Sequence, residues 1–100
     1  MKEINDKNFA AETGSGVVLV KFTASWCGPC KALTPTLQTV EEQTGVPVLE
    51  LDIDLNEVAT NTFGIRAVPT VIMFKNGNVV GEPQIGAKSV QTYLDLLNQN

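Results

Sequence analysis

Residues 25–31 read Ser-Trp-Cys-Gly-Pro-Cys-Lys, and they contain both cysteines and the only tryptophan of the 100-residue chain. The apolar run Val17–Phe22 leads into this stretch, and the residues after Cys27 show the apolar spacing of a helix. Cys27 is therefore predicted to lie where a strand ends and a helix begins. The free N–H groups and partial positive charge of a helix N-terminus favour a thiolate at that position.

The spacing of the two cysteines suits reversible disulfide chemistry. Cys30 follows Cys27 by nearly one helical turn and lies on the same side of the helix, which suits the Cα separation of about 4.4–6.8 Å that a disulfide needs. Pro29 fits the first turn, where its missing N–H costs little. We expect Cys27 to attack a substrate disulfide and Cys30 to resolve the mixed disulfide, with Gly28 and Pro29 tuning the pair.

Outward from this stretch the sequence alternates between strand and helix patterns. Asn76-Gly77 predicts a tight hairpin turn between the last two strands. The order βαβ followed by ββα predicts an α/β fold, a central mixed β-sheet with helices on both faces, in one domain over residues 1–100. We expect strands at residues 2–4, 17–22, 46–53, 70–75 and 78–84, and helices at about 6–12, 27–44, 56–63 and from 89 onward.

Composition excludes several classes of function. A net charge of −4 argues against nucleic acid or an anionic membrane as a partner. With two cysteines and no histidine, the chain cannot form an ordinary four-ligand zinc site or use histidine as a catalytic base. Lys31 directly after the second cysteine excludes a haem attachment motif. We therefore expect neither a metal nor a cofactor.

The N-terminal residues Met-Lys-Glu-Ile-Asn-Asp-Lys-Asn contain no apolar segment typical of a signal peptide. The longest apolar run is far too short to span a bilayer. These two observations predict a cytoplasmic protein with no membrane partner. Cysteines in that compartment are more often catalytic or metal-binding than structural.

The hexapeptide Trp26–Lys31 resembles the active site of the thioredoxin family, and the similarity extends over nearly the whole chain. The resemblance implies the thioredoxin fold and an enzyme that reduces protein disulfides by dithiol–disulfide exchange, with a thioredoxin reductase as electron donor. Outside the hexapeptide it rests on Phe22, Ala24, Pro35, the Asp54 region, Gly64-Ile65-Arg66, Val68-Pro69-Thr70, Phe74-Lys75-Asn76-Gly77 and Gly86.

The family fold further implies that the Val68-Pro69 peptide bond is cis and faces the disulfide. The residues alone leave open an ordinary proline at the start of a strand. In the family-based interpretation the backbone of Val68 pairs with an extended substrate segment. A substrate-docking groove would then be lined by Trp26, Val68, Pro69, Ile85 and Gly86, with Trp26 as an exposed shelf.

One departure from the family pattern concerns a pair of charges. Thioredoxins usually have a buried Asp at the position of Lys21 and a Lys at the position of Glu50, so the two charges are exchanged here. Because Lys21 lies within an apolar run, we expect it to be at least partly buried and paired with Glu50 on the neighbouring strand. Two unpaired charges at the ends of the sheet are the alternative.

This exchange leaves two hypotheses for the resolving step. In the first, Glu50 takes the proton of Cys30, directly or through a water. In the second, Lys21 stays charged and lowers the pKa of the nearby thiols. A pure binding module and an oxidase of an exported compartment are the competing functions, and a monomer is the expected state.

Overall fold

The computed structural model describes residues 1–100 and contains five strands and four helices in the predicted order. In chain order they are β1 (Lys2–Ile4), α1 (Phe9–Thr13), β2 (Val17–Thr23), α2 (Gly28–Thr44), β3 (Val48–Asp52), α3 (Glu57–Thr62), β4 (Thr70–Lys75), β5 (Asn78–Ile85) and α4 (Val90–Gln99).

Two boundaries differ from the prediction by more than one residue, each for a local reason. The first helix begins only at Phe9, because the side-chain oxygen of Asn5 accepts hydrogen bonds from the backbone N–H groups two and three residues later and closes a turn. The third strand begins at Val48 rather than two residues earlier. Pro47 has no N–H to donate to the sheet, and only its carbonyl takes part in a backbone hydrogen bond.

The strands form one mixed sheet in the order β1-β3-β2-β4-β5. The pairs β1–β3 and β2–β3 are parallel, whereas β2–β4 and β4–β5 are antiparallel. Asn76 and Gly77 join β4 to β5 with φ angles of 51° and 86°, as the predicted hairpin turn requires. The central strand β2 leads directly into the cysteine stretch.

Helices cover both faces of the sheet, which confirms the predicted architecture. Successive side chains of a strand point to opposite faces. Val20 and Phe22 of β2 belong to the cluster that includes Ala59 of α3, whereas Leu19 packs with Leu33 of α2. We refer to these two sides as the α1/α3 face and the α2/α4 face. Tyr93 and Leu96 attach α4 to the second of them.

The α1/α3 face contains all four phenylalanines of the chain. Their ring centroids lie 5.2–6.1 Å apart, and two of the contacts are edge-to-face, which is a favourable geometry for aromatic rings. The rings are those of Phe9, Phe22, Phe63 and Phe74. This cluster fixes α1 and α3 against the sheet.

Candidate functional site

Cys27 and Cys30 form a disulfide at the start of α2, with their Cα atoms 5.3 Å apart. The separation falls within the range expected from the sequence spacing. Both residues are buried, with exposed fractions of 3% and 1%. They form a small cluster with Ala24, and the side chains of Ile53 and Val68 pack against it.

The chain enters α2 in a way that places a sulfur at the helix N-terminus. Cys27 is the N-cap residue in an extended conformation, and its Sγ accepts a hydrogen bond from the backbone N–H of Cys30 at 3.1 Å. Pro29 occupies the first turn, where a helix needs no N–H. A sulfur at the N-cap therefore has both a donor and the helix dipole available to stabilise negative charge.

Trp26 lies beside the pair with 68% of its surface exposed, as the predicted shelf requires. Its Nε1–H donates a hydrogen bond to Oδ2 of Asp54 at 2.7 Å. This bond orients the indole from the loop that follows β3. The role of Asp54 is not predictable from the sequence, because a carboxylate 28 residues away carries no local sign of its partner.

The structure brings the other predicted groove residues to the same end of the sheet. The Val68–Pro69 peptide bond is cis, as the family resemblance implies. The backbone N–H of Gly86 donates to the carbonyl of Pro69 at 2.8 Å, and Gly86 has a φ angle of 88° that favours glycine. Ile85 is 61% exposed next to it, while Val68 contacts the cysteine cluster.

Lys21 is buried directly beneath the helix that carries the cysteines. It is 1% exposed on the α2/α4 face, and its Nζ donates to the carbonyl oxygen of Cys30 at 2.7 Å and to Oγ1 of Thr34 at 3.0 Å. The expected burial is confirmed. Burial lowers the pKa of Lys21 below its ordinary value of 10.5, and the negative charge of Glu50 partly opposes this shift.

The predicted ion pair between Lys21 and Glu50 is wrong as a direct contact. The two residues are neighbours in the register of β2 and β3, but neither ion pair of the structure includes Lys21. The long Lys21 side chain instead reaches the first two turns of α2, where the Cys30 carbonyl and the Thr34 hydroxyl accept its protons. Glu50 acts on it only through space.

A surface cavity of about 240 Å³ connects these charged groups to Cys30. It is large enough for water, so a proton acceptor does not have to touch the sulfur. Besides Cys30 and Thr34, its walls include the titratable groups Glu3, Lys21, Lys31, Glu50 and Asp52.

This combination of fold and site defines a class of protein. Cys27 caps the helix that follows the central strand of a mixed sheet, and Cys30 lies in the first turn of that helix at disulfide distance from it. Such a pair can be closed and opened without rearrangement of the backbone. The chain is a dithiol–disulfide oxidoreductase.

Comparison with known proteins agrees with that class. The family model described as Thioredoxin matches residues 1–99. The chain is 41% identical to a thioredoxin of Chlamydia muridarum over 98 residues (97% of this chain, 95% of the relative), and 36% identical to one of Bacillus subtilis over 97 residues (95% and 92%). The chain belongs to the thioredoxin family.

Membership of this family implies disulfide substrates and, in general, a reductase partner. None of the four helices has the length and apolar character needed to cross a bilayer. No group of three or more His, Cys, Asp or Glu side chains is arranged to hold a metal ion.

Proposed function

We propose that the chain reduces protein disulfides with Cys27 as the attacking cysteine and Cys30 as the resolving cysteine. The position of Cys27 at the N-cap of α2 carries this assignment, because its sulfur there accepts the N–H of Cys30. The same N–H and the helix dipole would stabilise the Cys27 thiolate in the reduced protein. Cys30 lies deeper, with its carbonyl bound by Lys21.

The proposed cycle balances as two thiol–disulfide exchanges. The Cys27 thiolate attacks one sulfur of the substrate disulfide, which forms a mixed disulfide and releases the first substrate thiolate. The Cys30 thiolate then attacks the Cys27 sulfur and releases the second. The substrate gains two electrons, the Cys27–Cys30 disulfide forms, and a thioredoxin reductase returns the two electrons.

We assign substrate docking to the surface around the cis peptide bond. Neither the N–H nor the C=O of Val68 takes part in a hydrogen bond within the chain, so both are free to pair with an extended peptide. Trp26, Ile85 and Gly86 flank this backbone, together with the buried ring of Pro69. Two exposed apolar side chains beside free backbone groups suit a peptide better than a small polar substrate.

For the resolving step we propose that Glu50 receives the Cys30 proton through water in the shared cavity, while Lys21 stays charged. Glu50 lines this cavity, and no direct Lys21 contact occupies its carboxylate. The positive charge of Lys21 beneath Cys30 favours a thiolate. Gly28 and Pro29 complete the set of residues that would tune the pair.

Glu50→Gln tests the role of the carboxylate, because it keeps the shape and removes the acceptor. We expect the pH–rate profile of disulfide reduction to shift, with turnover several-fold lower below the thiol pKa. Asp52→Asn, which changes the other half-buried carboxylate of the cavity, is the matched control. Superimposable profiles for wild type and Glu50→Gln would exclude Glu50 as the base.

Cys27→Ser tests the central assignment. We expect it to abolish reduction of a protein disulfide, whereas Cys30→Ser accumulates the mixed disulfide that trapping and mass spectrometry detect. The reduction potential of the wild-type pair gives an independent test, since a value near those of oxidases contradicts a reductase. A partner that still binds the double serine variant would instead indicate a binding module.

The proposed setting is a single-domain monomer in the cytoplasm. Both core clusters are built on one sheet, which supports one domain. The net charge of −4 opposes self-association. A reductase of this kind works where other systems also keep thiols reduced, as in the cytoplasm.

A further inference from the structure

Two apolar side chains on the loop and helix after β3 point into solvent. Leu55 is 79% exposed and Val58 is 68% exposed, against 68% for Trp26 beside the cysteines. These two are the most exposed large aliphatic side chains of the protein. We refer to them as the Leu55/Val58 patch. Neither contributes to a core cluster, so folding does not explain them.

A buried polar residue, Asn56, holds the backbone of the patch in place, whereas the apolar side chains on either side of it are exposed. Asn56, between the two apolar residues, is only 6% exposed. Its amide accepts from the backbone N–H of Asp6 and donates to the carbonyl of Asp52, both at 2.9 Å. The Asp6 carboxylate in turn accepts the N–H groups of Val58 and Ala59. The local backbone is therefore ordered before any partner arrives, which lowers the entropy cost of binding.

The patch adjoins the redox site through a defined contact. The indole of Trp26, next to Cys27, is hydrogen-bonded to Asp54, and Leu55 is the next residue along the chain. Leu55 follows β3 and Ile85 ends β5, and these two strands lie on opposite sides of β2, which leads into the cysteine pair. The patch would therefore extend the proposed docking surface on the side opposite Ile85.

The charges around the patch indicate what kind of partner fits it. The segment from β3 to α3 carries Asp52, Asp54 and Glu57 and no basic residue, and Lys7 is the one basic side chain that lines a surface cavity together with Leu55. A second copy of this chain would bring two acidic rims together. A basic rim on the partner is attracted instead, and such complementarity selects partners and speeds their association.

We propose that the Leu55/Val58 patch is a selectivity contact for disulfide-bearing proteins that present an apolar side chain flanked by arginine or lysine. The proposal rests on the reductase function proposed above. The patch would bind the partner beyond the reacting disulfide, so that a partner with this chemistry is reduced faster than one whose disulfide is equally reactive but flanked by acidic residues.

Two synthetic peptides test this proposal, each closed by the same disulfide and carrying the same leucine, with either arginines or glutamates beside it. We expect wild type to reduce the arginine peptide with a kcat/KM about tenfold higher, and salt to shrink the preference. In Leu55→Ser/Val58→Ser, the rate with the arginine peptide should fall about tenfold relative to the rate of the same variant with a small aromatic disulfide. Val79→Ser, which alters an exposed valine on β5, is the matched control and should retain the wild-type preference.

Equal rates with the two peptides, or an unchanged preference in Leu55→Ser/Val58→Ser, would overturn the proposal. Dimerisation of wild type that the double variant abolishes, seen by sedimentation, would make the patch a self-interface and also overturn it. Failure of wild type to reduce the small disulfide would count against the reductase function alone. Direct binding of the reduced peptides, measured by fluorescence anisotropy, tests the patch in that case.

Discussion

The two faces of the sheet differ sharply although they share the same central strand. On the α1/α3 face, β2 contributes Val18, Val20 and Phe22 to an apolar cluster in which four rings meet in tilted or edge-to-face contacts. On the α2/α4 face, the same strand contributes Leu19 and then Lys21, whose ammonium group lies beneath α2. The first face has no buried charged side chain, and the second contains one.

The buried charge on the α2/α4 face lies next to the redox site and has a cost in stability. Apolar burial contributes favourably on both faces, but a buried ammonium opposes folding unless hydrogen bonds compensate it. Lys21 has two such bonds, and one of them goes to the backbone carbonyl of Cys30. We infer that burying Lys21 costs the α2/α4 face part of its folding free energy next to the site, a cost that the α1/α3 face does not carry.

Phe74→Ala should have the largest effect on stability, because the ring is fully buried and touches two others. We expect the free energy of unfolding to fall by about 3–5 kcal/mol in urea titrations. Turnover per folded molecule should stay near that of wild type. A loss of turnover in fully folded Phe74→Ala would show that the two faces are not independent.

Lys21→Met should stabilise the protein at neutral pH, by about 1–4 kcal/mol, since it removes a buried charge but keeps an apolar stem. Burial lowers the folded-state pKa of Lys21 below 10.5, so between the two pKa values only the unfolded chain holds the proton. Wild-type stability therefore rises with pH in that interval. We expect the advantage of Lys21→Met to shrink as the pH approaches 10.5.

Urea titrations of the oxidised proteins from pH 7 to 10.5 measure this effect. Lys31→Met is the matched control, because it removes an exposed positive charge from the same region. If the gain in unfolding free energy of Lys21→Met does not change with pH, the buried charge of Lys21 does not destabilise the α2/α4 face.

Thr34→Val should have the smallest effect, with a loss of about 1 kcal/mol, because it removes one of the two acceptors of Lys21 without changing the size of the side chain. The charged form of Lys21 loses a partner, so its pKa should fall further, which NMR titration of the lysine detects. Thr39→Val on the same helix removes a hydroxyl that bonds only the Pro35 carbonyl. An equal effect of both variants on Lys21 would contradict the anchoring role of Thr34.

Local sequence signals predicted the elements well where one residue type determines the backbone. Asn76-Gly77 requires two positive φ angles, and Cys27 followed by Pro29 marks a helix start. The cis Val68–Pro69 bond was different, since spacing alone could not choose between cis and trans. Only the family resemblance predicted it.

Side-chain contacts were predicted less well, because the register of two strands does not determine which partner a long, flexible side chain reaches. Lys21 and Glu50 are register neighbours as expected, yet the ammonium prefers the carbonyl of Cys30. The bond from Trp26 to Asp54 joins residues distant in sequence. The exposed Leu55 was likewise not foreseen, because hydrophobicity alone favours burial.

The depth of the two sulfurs has a further consequence. With 3% and 1% of Cys27 and Cys30 exposed, a small thiol diffusing in solution meets almost no sulfur surface on the oxidised protein. A macromolecule that docks on the surrounding surface can instead hold its own sulfur at the narrow opening long enough to react. Burial of the two sulfurs therefore favours electron exchange with docked proteins over exchange with small thiols in solution.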